Sequence, residues 1–233
     1  MLKKRIERRQ ALKAMGGAGI GLAFGCGSAS GTSPSSTPSA IATSTSSTNA
    51  TCAVTPTETA GPFPSLADFF RSDIRESKPG TVLTLTIKVV NASSGCAPVA
   101  NANVEIWHVD AAGNYSQYGG QASQTYLRGI QITNANGEVV FTTIYPGWYQ
   151  GRATHIHAEV TIGGRSVKVT QMGFPESINN SVHSSGVYAS RGTNPVANLQ
   201  DGIFADSLSA ELVTPMGSAS AGYAATFQIG IAA

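Results

Sequence analysis

Cysteine, charge and long apolar runs are all scarce in this chain of 233 residues. It has only three cysteines, and charged residues make up 12% of it. No basic run occurs outside the first thirteen residues, where Lys3, Lys4, Arg5, Arg8, Arg9 and Lys13 cluster. The formal charge of +2 belongs to that cluster. Without residues 1–26 the balance is nine basic against twelve acidic residues, a charge of −3. A nucleic-acid partner is therefore excluded as a reading. The one sustained apolar stretch, Ala14 to Gly25, is too short to span a bilayer.

What that stretch does supply is an export signal over residues 1–26, a charged segment followed by a short apolar one. Arg8-Arg9-Gln10-Ala11-Leu12 resembles a twin-arginine signal, whose cargo crosses already folded. Leu22-Ala-Phe-Gly-Cys26 is similar to a lipoprotein box, with Ala23 where leucine is usual. A lipidated Cys26 would tether the mature protein to a membrane; simple cleavage would release it. The expected location is thus periplasmic or extracellular. Residues 27–51 are almost entirely Ser, Thr, Ala, Pro, Gly and Asn, too polar to offset their ordering entropy, and read as a flexible tether. The two remaining cysteines, Cys52 and Cys96, form one disulfide in the simplest reading of an exported protein, a bridge contributing about 2–4 kcal/mol.

Residues 52–233 are enough for one domain with a real core. Leu83, Leu85, Ile87 and Val89 alternate with polar residues, the period of a half-buried strand. Further strands are expected at Asn103 to Asp110, Gly129 to Thr133, Glu138 to Ile144, His155 to Ile162, Arg165 to Gln171 and Thr226 to Ile231. Asn136-Gly137 and Gly163-Gly164 signal hairpins. The expected fold is all-β, an antiparallel β-sandwich with long irregular loops and little helix. A helical turn or two is expected within Ser65 to Arg75. Phe174 to Ala205 lacks periodicity and reads as a long surface excursion that includes His183.

Chemistry concentrates between Thr143 and His157. His155 and His157 flank Ile156, so strand periodicity puts both imidazoles on one face and the aliphatics in the core. Two such histidines can grip a metal ion, although the spacing alone fits a half-exposed strand equally well. Tyr149 is the nearest further donor and Tyr115 the second, with Tyr118 and Tyr126 as rivals for its place. Two phenolates with two neutral imidazoles suit a hard, high-valent ion such as ferric iron, not the thiolate-rich sites of structural zinc. Trp107 reads as core, and His108 falls near the same face without an assigned role.

At this point the chain resembles the intradiol ring-cleavage dioxygenases, the catechol and protocatechuate 3,4-dioxygenase family, and above all its small exported members. The resemblance runs through Thr55-Pro-Thr-Glu-Thr-Ala-Gly-Pro-Phe-Pro64, Val104-Glu-Ile-Trp-His-Val-Asp110, Gly113-Asn-Tyr115 and Leu127-Arg-Gly129. It continues through Phe141-Thr-Thr-Ile-Tyr-Pro-Gly-Trp-Tyr149, Arg152-Ala-Thr-His-Ile-His157 and Thr170-Gln171. It implies Fe(III) bound by Tyr115, Tyr149, His155 and His157, between the two sheets. It also implies that Arg152 stabilises charge on the substrate ring, that Gln171 lines the pocket, and that Tyr149 leaves the iron to act as a base. The reaction implied uses O2 to split a small aromatic diol between its hydroxylated carbons, giving a muconate-type diacid. The chain departs from the family pattern at Met172-Gly173-Phe174, where an aromatic is frequent soon after the glutamine, and in lacking an N-terminal helical dimerisation segment. A second reading is a non-catalytic metal- or ligand-binding protein of the cell envelope; a third is an enzyme loaded with copper on the two histidines.

Overall fold

The computed structural model describes residues 52–232. The export signal, the tether and Cys26 lie outside these residues. The described part is two packed sheets. Strand β1 (Val82–Asn91) is central in the first, because Leu83, Leu85, Ile87 and Val89 are fully buried on one of its faces. On one side it pairs antiparallel with β5 (Glu138–Ile144), and β2 (Ala97–Pro98) continues that side beyond Val90. On the other side lies β9 (Gly222–Ile231), which pairs in turn with β8 (Met216–Ser218). The second sheet runs β4 (Arg128–Ile132), β3 (Asn103–Trp107), β6 (His155–Ile162), β7 (Arg165–Gly173), antiparallel throughout.

The core fills the space between them. Val104, Ile106, Ile156, Ala158 and Val160 of the second sheet meet Leu85, Ile87, Phe141, Phe227 and Ile229 of the first. Each such side chain, fully buried, contributes about 1.5–3 kcal/mol relative to exposure. Gly163 and Gly164 both take positive φ, +56° and +78°, as a tight two-residue hairpin between β6 and β7 requires. Cys52 and Cys96 are disulfide-bonded across 44 residues, tying the start of the domain to the turn before β2.

Four expectations change. The turn at Asn134 to Gly137 forms, with the Asn134 Oδ1 accepting from the amides of Asn136 and Glu138 at 2.9 Å each. It does not close a hairpin, because β4 joins β3 while β5 joins β1 in the other sheet. Glycine is needed at 137 because a Cβ there would strike the Val89 carbonyl. Strand β9 lies parallel to β1, so the sandwich is not wholly antiparallel. Residues 65–75 form no helix; Phe70 bridges to Ile130 and Asp73 to Thr142, strapping both sheets. Residues 174–205 are more than a surface excursion. They contain α1 (Glu176–His183) and bury Phe174, Val182, His183, Tyr188 and Phe204. His183 is locked there by the Pro146 carbonyl, 3.1 Å from its Nε2. Helix α2 (Leu208–Glu211) follows, and among the described residues no helix is long and apolar enough to cross a membrane.

Candidate metal centre

Alternation along β6 turns His155 and His157 away from the core, onto the outer face of the second sheet. The site is therefore not between the sheets. Neighbouring strands supply its floor by register: Trp107 of β3 and Gln171 of β7 both stand opposite His157. The Trp107 ring stacks on the His157 imidazole at 4.9 Å, nearly parallel with 1° between the planes. The expected core tryptophan is buried, yet its partner is the site.

Tyr115 arrives on the loop after β3. Asp110 shapes that loop: its Oδ1 accepts from the amides of Ala112 at 3.0 Å and Asn114 at 2.9 Å, and its Oδ2 from Lys78 Nζ at 2.8 Å. Burial pushes the Asp110 carboxyl up, but Lys78 and these amides outweigh it and leave the group below its ordinary value. Phe63, on the strap preceding β1, stacks on Tyr115 at 4.7 Å. The rival tyrosines are occupied elsewhere. Tyr118 donates to the Pro64 carbonyl at 2.6 Å, and Tyr126 donates to Asp110 at 3.3 Å with Lys78 over its ring.

Three donor atoms converge. The Tyr115 Oη lies 3.2 Å from His155 Nε2, which lies 3.1 Å from His157 Nε2. His155 Nδ1 must carry hydrogen, since it sits 2.7 Å from the Ala153 carbonyl, which can only accept. The His155 Nε2 lone pair thus faces the other two donors. Burial, then the Arg152 charge, pushes the His155 pKa down to about 4. Burial and the neighbouring His155 push His157 well below its ordinary value. Burial also raises the Tyr115 phenol, so it keeps its proton until a cation is near. Tyr149 is half-buried, its ring 5.7 Å from Tyr115 and 5.3 Å from Phe63. Two neutral nitrogens and a phenol oxygen crowded on one buried point, with a second phenol ring beside them, fit a bound cation. Among the described residues no group of three or more His, Cys, Asp or Glu could hold one, so a metal here must draw on the phenols.

Arg152 forms the second half of the site. Its Nη2 donates to Gln171 Oε1 at 2.7 Å, and Gln171 Nε2 donates to the Thr59 carbonyl at 2.8 Å. Its Nε donates to both oxygens of Asp201, at 2.8 and 3.1 Å. Asp201 is fully buried and also accepts from the amides of Ala153 at 2.6 Å and Ile203 at 2.8 Å. These bonds overcome the burial cost and hold its carboxyl below the ordinary value. The sequence reading missed Asp201. Its signal was faint: it is the lone charge between Gly192 and Ala205. His108 packs beneath the site with Nδ1 2.9 Å from the Val109 carbonyl and Nε2 2.7 Å from Thr143 Oγ1, a neutral structural histidine.

The profile of a family described as "Dioxygenase" matches residues 63–191, more than half of the chain. The chain is 32% identical over 124 residues to the protocatechuate 3,4-dioxygenase beta chain of Burkholderia cepacia, covering 46% of this chain and 51% of that one. It is 26% identical over 121 residues to the chlorocatechol 1,2-dioxygenase of Rhodococcus opacus, covering 43% and 46%. It thus spans about half the length of the curated relatives it matches. The solved intradiol ring-cleavage dioxygenase from Tetranychus urticae superposes with a TM-score of 0.70 at 29% identity, covering 78% of this chain and 95% of that one. With the match running from Phe63 through every donor at the convergence point to Arg191, the chain belongs to the intradiol ring-cleavage dioxygenase family.

Proposed function

We propose that this chain is an exported, Fe(III)-dependent enzyme that uses O2 to cleave a catechol-type ring between its hydroxylated carbons, yielding a muconate-type diacid. The observation that carries this reading is the convergence on His155 Nε2 of Tyr115 Oη at 3.2 Å and His157 Nε2 at 3.1 Å, with Tyr149 alongside. These four side chains would hold the metal. A ferric ion held there supplies the Lewis acidity that deprotonates a diol and makes its ring reactive toward O2.

The protein supplies the rest. The imidazoles are neutral and buried, so their lone pairs are free for the metal at neutral pH. Tyr149 is more exposed than Tyr115, which makes it the phenol able to swing away and take a diol proton on its Oη. Arg152, fixed by Asp201, offers a positive charge beside the donors as the ring gains negative charge, an effect worth about 3 kcal/mol at comparable buried sites. Trp107 and Phe63 exclude water from the donors.

The purified mature protein should be burgundy, shift colour with catechol and consume O2 while forming the diacid. A colourless, iron-free protein with no oxygen uptake across a panel of diols would sink the proposal. The Cys52–Cys96 disulfide supports an oxidising compartment, in keeping with export and a tether through lipidated Cys26. If that tether operates, Cys26→Ser moves the protein from the membrane to the soluble fraction; an unchanged distribution argues against it.

A further inference from the structure

Beside Tyr115 and Tyr149 lies a cleft of about 180 Å³, walled by Phe63 and Tyr118 and rimmed by the Gly119–Gln121 turn. It is smaller than the roughly 300–1,000 Å³ of sites for larger ligands, which suits a single aromatic ring. Its diol end must point at the donors, leaving the ring substituents among Phe63, Tyr118 and the turn.

Among the described residues, no charged side chain lines this cleft. The neighbouring guanidinium groups are committed elsewhere. Arg128 is fully buried and donates to Ser116 Oγ at 2.9 Å, to the Ser116 carbonyl at 2.7 Å and to the Phe63 carbonyl at 2.9 Å. Arg191 lies 3.9 Å over the Trp148 ring and donates to the Ala112 carbonyl. Arg152, held by Asp201 through its Nε and by Gln171 through its Nη2, serves the diol end and does not line the cleft. A carboxylate entering the cleft would lose hydration and face ring surfaces whose quadrupole is negative, with no cation in return.

Resting on the proposed dioxygenase activity, we infer that the substrate is a single-ring diol without an anionic substituent, selected by the uncharged wall of Phe63 and Tyr118. The rim has space for a charge it does not carry. A Cβ on Gly120 meets nothing within 4 Å, and this residue does not need a positive φ. Gly120→Lys therefore places an ammonium at the mouth without strain.

The test is anaerobic calorimetric titration of the iron-loaded protein with 4-methylcatechol and with protocatechuate, which carry a methyl or a carboxylate on the same ring carbon. Oxygen is excluded, so binding is read without turnover. The methyl compound should bind at least about tenfold more tightly, about 1.4 kcal/mol, and Gly120→Lys should remove most of that difference. Gln121→Lys serves if the glycine variant does not fold. Equal or tighter binding of protocatechuate by the natural protein overturns the inference, as does a preference that neither lysine alters. Retained preference without oxygen uptake on readmitting air would support the cleft reading while counting against the reaction.

Discussion

Around His155 and His157 the two faces of the second sheet differ in chemistry but hardly in burial. On the inner face Ile156, Ala158 and Val160 are fully buried against the first sheet. On the outer face His155, His157 and Gln171 are at most 3% exposed. Apolar side chains become dry by meeting an equal partner sheet. The histidines become dry because the strap through Phe63, the Tyr115 loop and the Asp201 segment are folded over them. A single strand thus serves stability and chemistry on alternate residues, and the two roles should separate under mutation.

The sharpest separation is expected at His157→Ala and Tyr149→Phe. Each should abolish turnover, and the histidine variant should also lose iron; unchanged oxygen uptake in either would refute that ligand assignment. One residue away, Ile156→Ala should cost about 2–5 kcal/mol of unfolding free energy, read by denaturant titration of the iron-free protein. If His157→Ala costs as much there, the faces are not distinct in role. Asp201→Asn should lower kcat/KM about 100-fold by letting Arg152 drift, with most of the loss in kcat. The substituted amide still accepts from the Ala153 amide, so the fold should hold. A loss matched by an equal drop in thermal midpoint would mark Asp201 as structural only.

The smallest effect concerns pH. Burial holds His108 and His155 neutral, with pKa values pushed down to about 4 from an ordinary 6.5. The unfolded chain binds more protons between those values, so stability is full above pH 6.5 and falls as pH drops toward 4, by at most about 1.4 kcal/mol per unit per histidine. Glu105 opposes this: burial raises its carboxyl to about 7, and its contribution is lost as pH rises through that value. Burial raises Glu58 and Glu211 as well, yet the four depressed imidazoles of His108, His155, His157 and His183 outnumber the three carboxyls. The urea midpoint of the iron-free protein should decline from pH 6.5 to 4.5, and more steeply in Glu105→Gln. A midpoint that is flat or rises on acidification would contradict the assignment of neutral buried imidazoles.

Much of this was legible in the chain because alternation is a local signal. Leu83 to Val89 and His155 to Ile162 announce both their strands and the faces those strands present. The Gly163-Gly164 hairpin was legible for the same reason, since β6 and β7 are neighbours in sequence and space. Pairing partners were not. Asn136-Gly137 specifies a reversal of direction, but burial of β4 and β5 against different neighbours decides that they part into separate sheets. The side of the sheet holding the site was equally hidden: the resemblance implied a position between the sheets, while the core around Ile156, Ala158 and Met172 is apolar. Asp201 escaped because a lone carboxylate in a polar stretch looks solvated until Arg152, 49 residues away in the chain, is brought to it.

The placement of β9 has a bearing on how the protein folds. Strand β9 lies in the middle of its sheet, registered with β1 over nine residues, and the Gly230 carbonyl receives the Thr55 amide at the start of the strap. Until β9 docks, β1 has an open edge and the strap over the donors lacks its hold on Gly230. A chain with β9 undocked is therefore sticky and poorly able to enclose metal. Pairing of two strands far apart in the chain is thus the event on which metal retention waits.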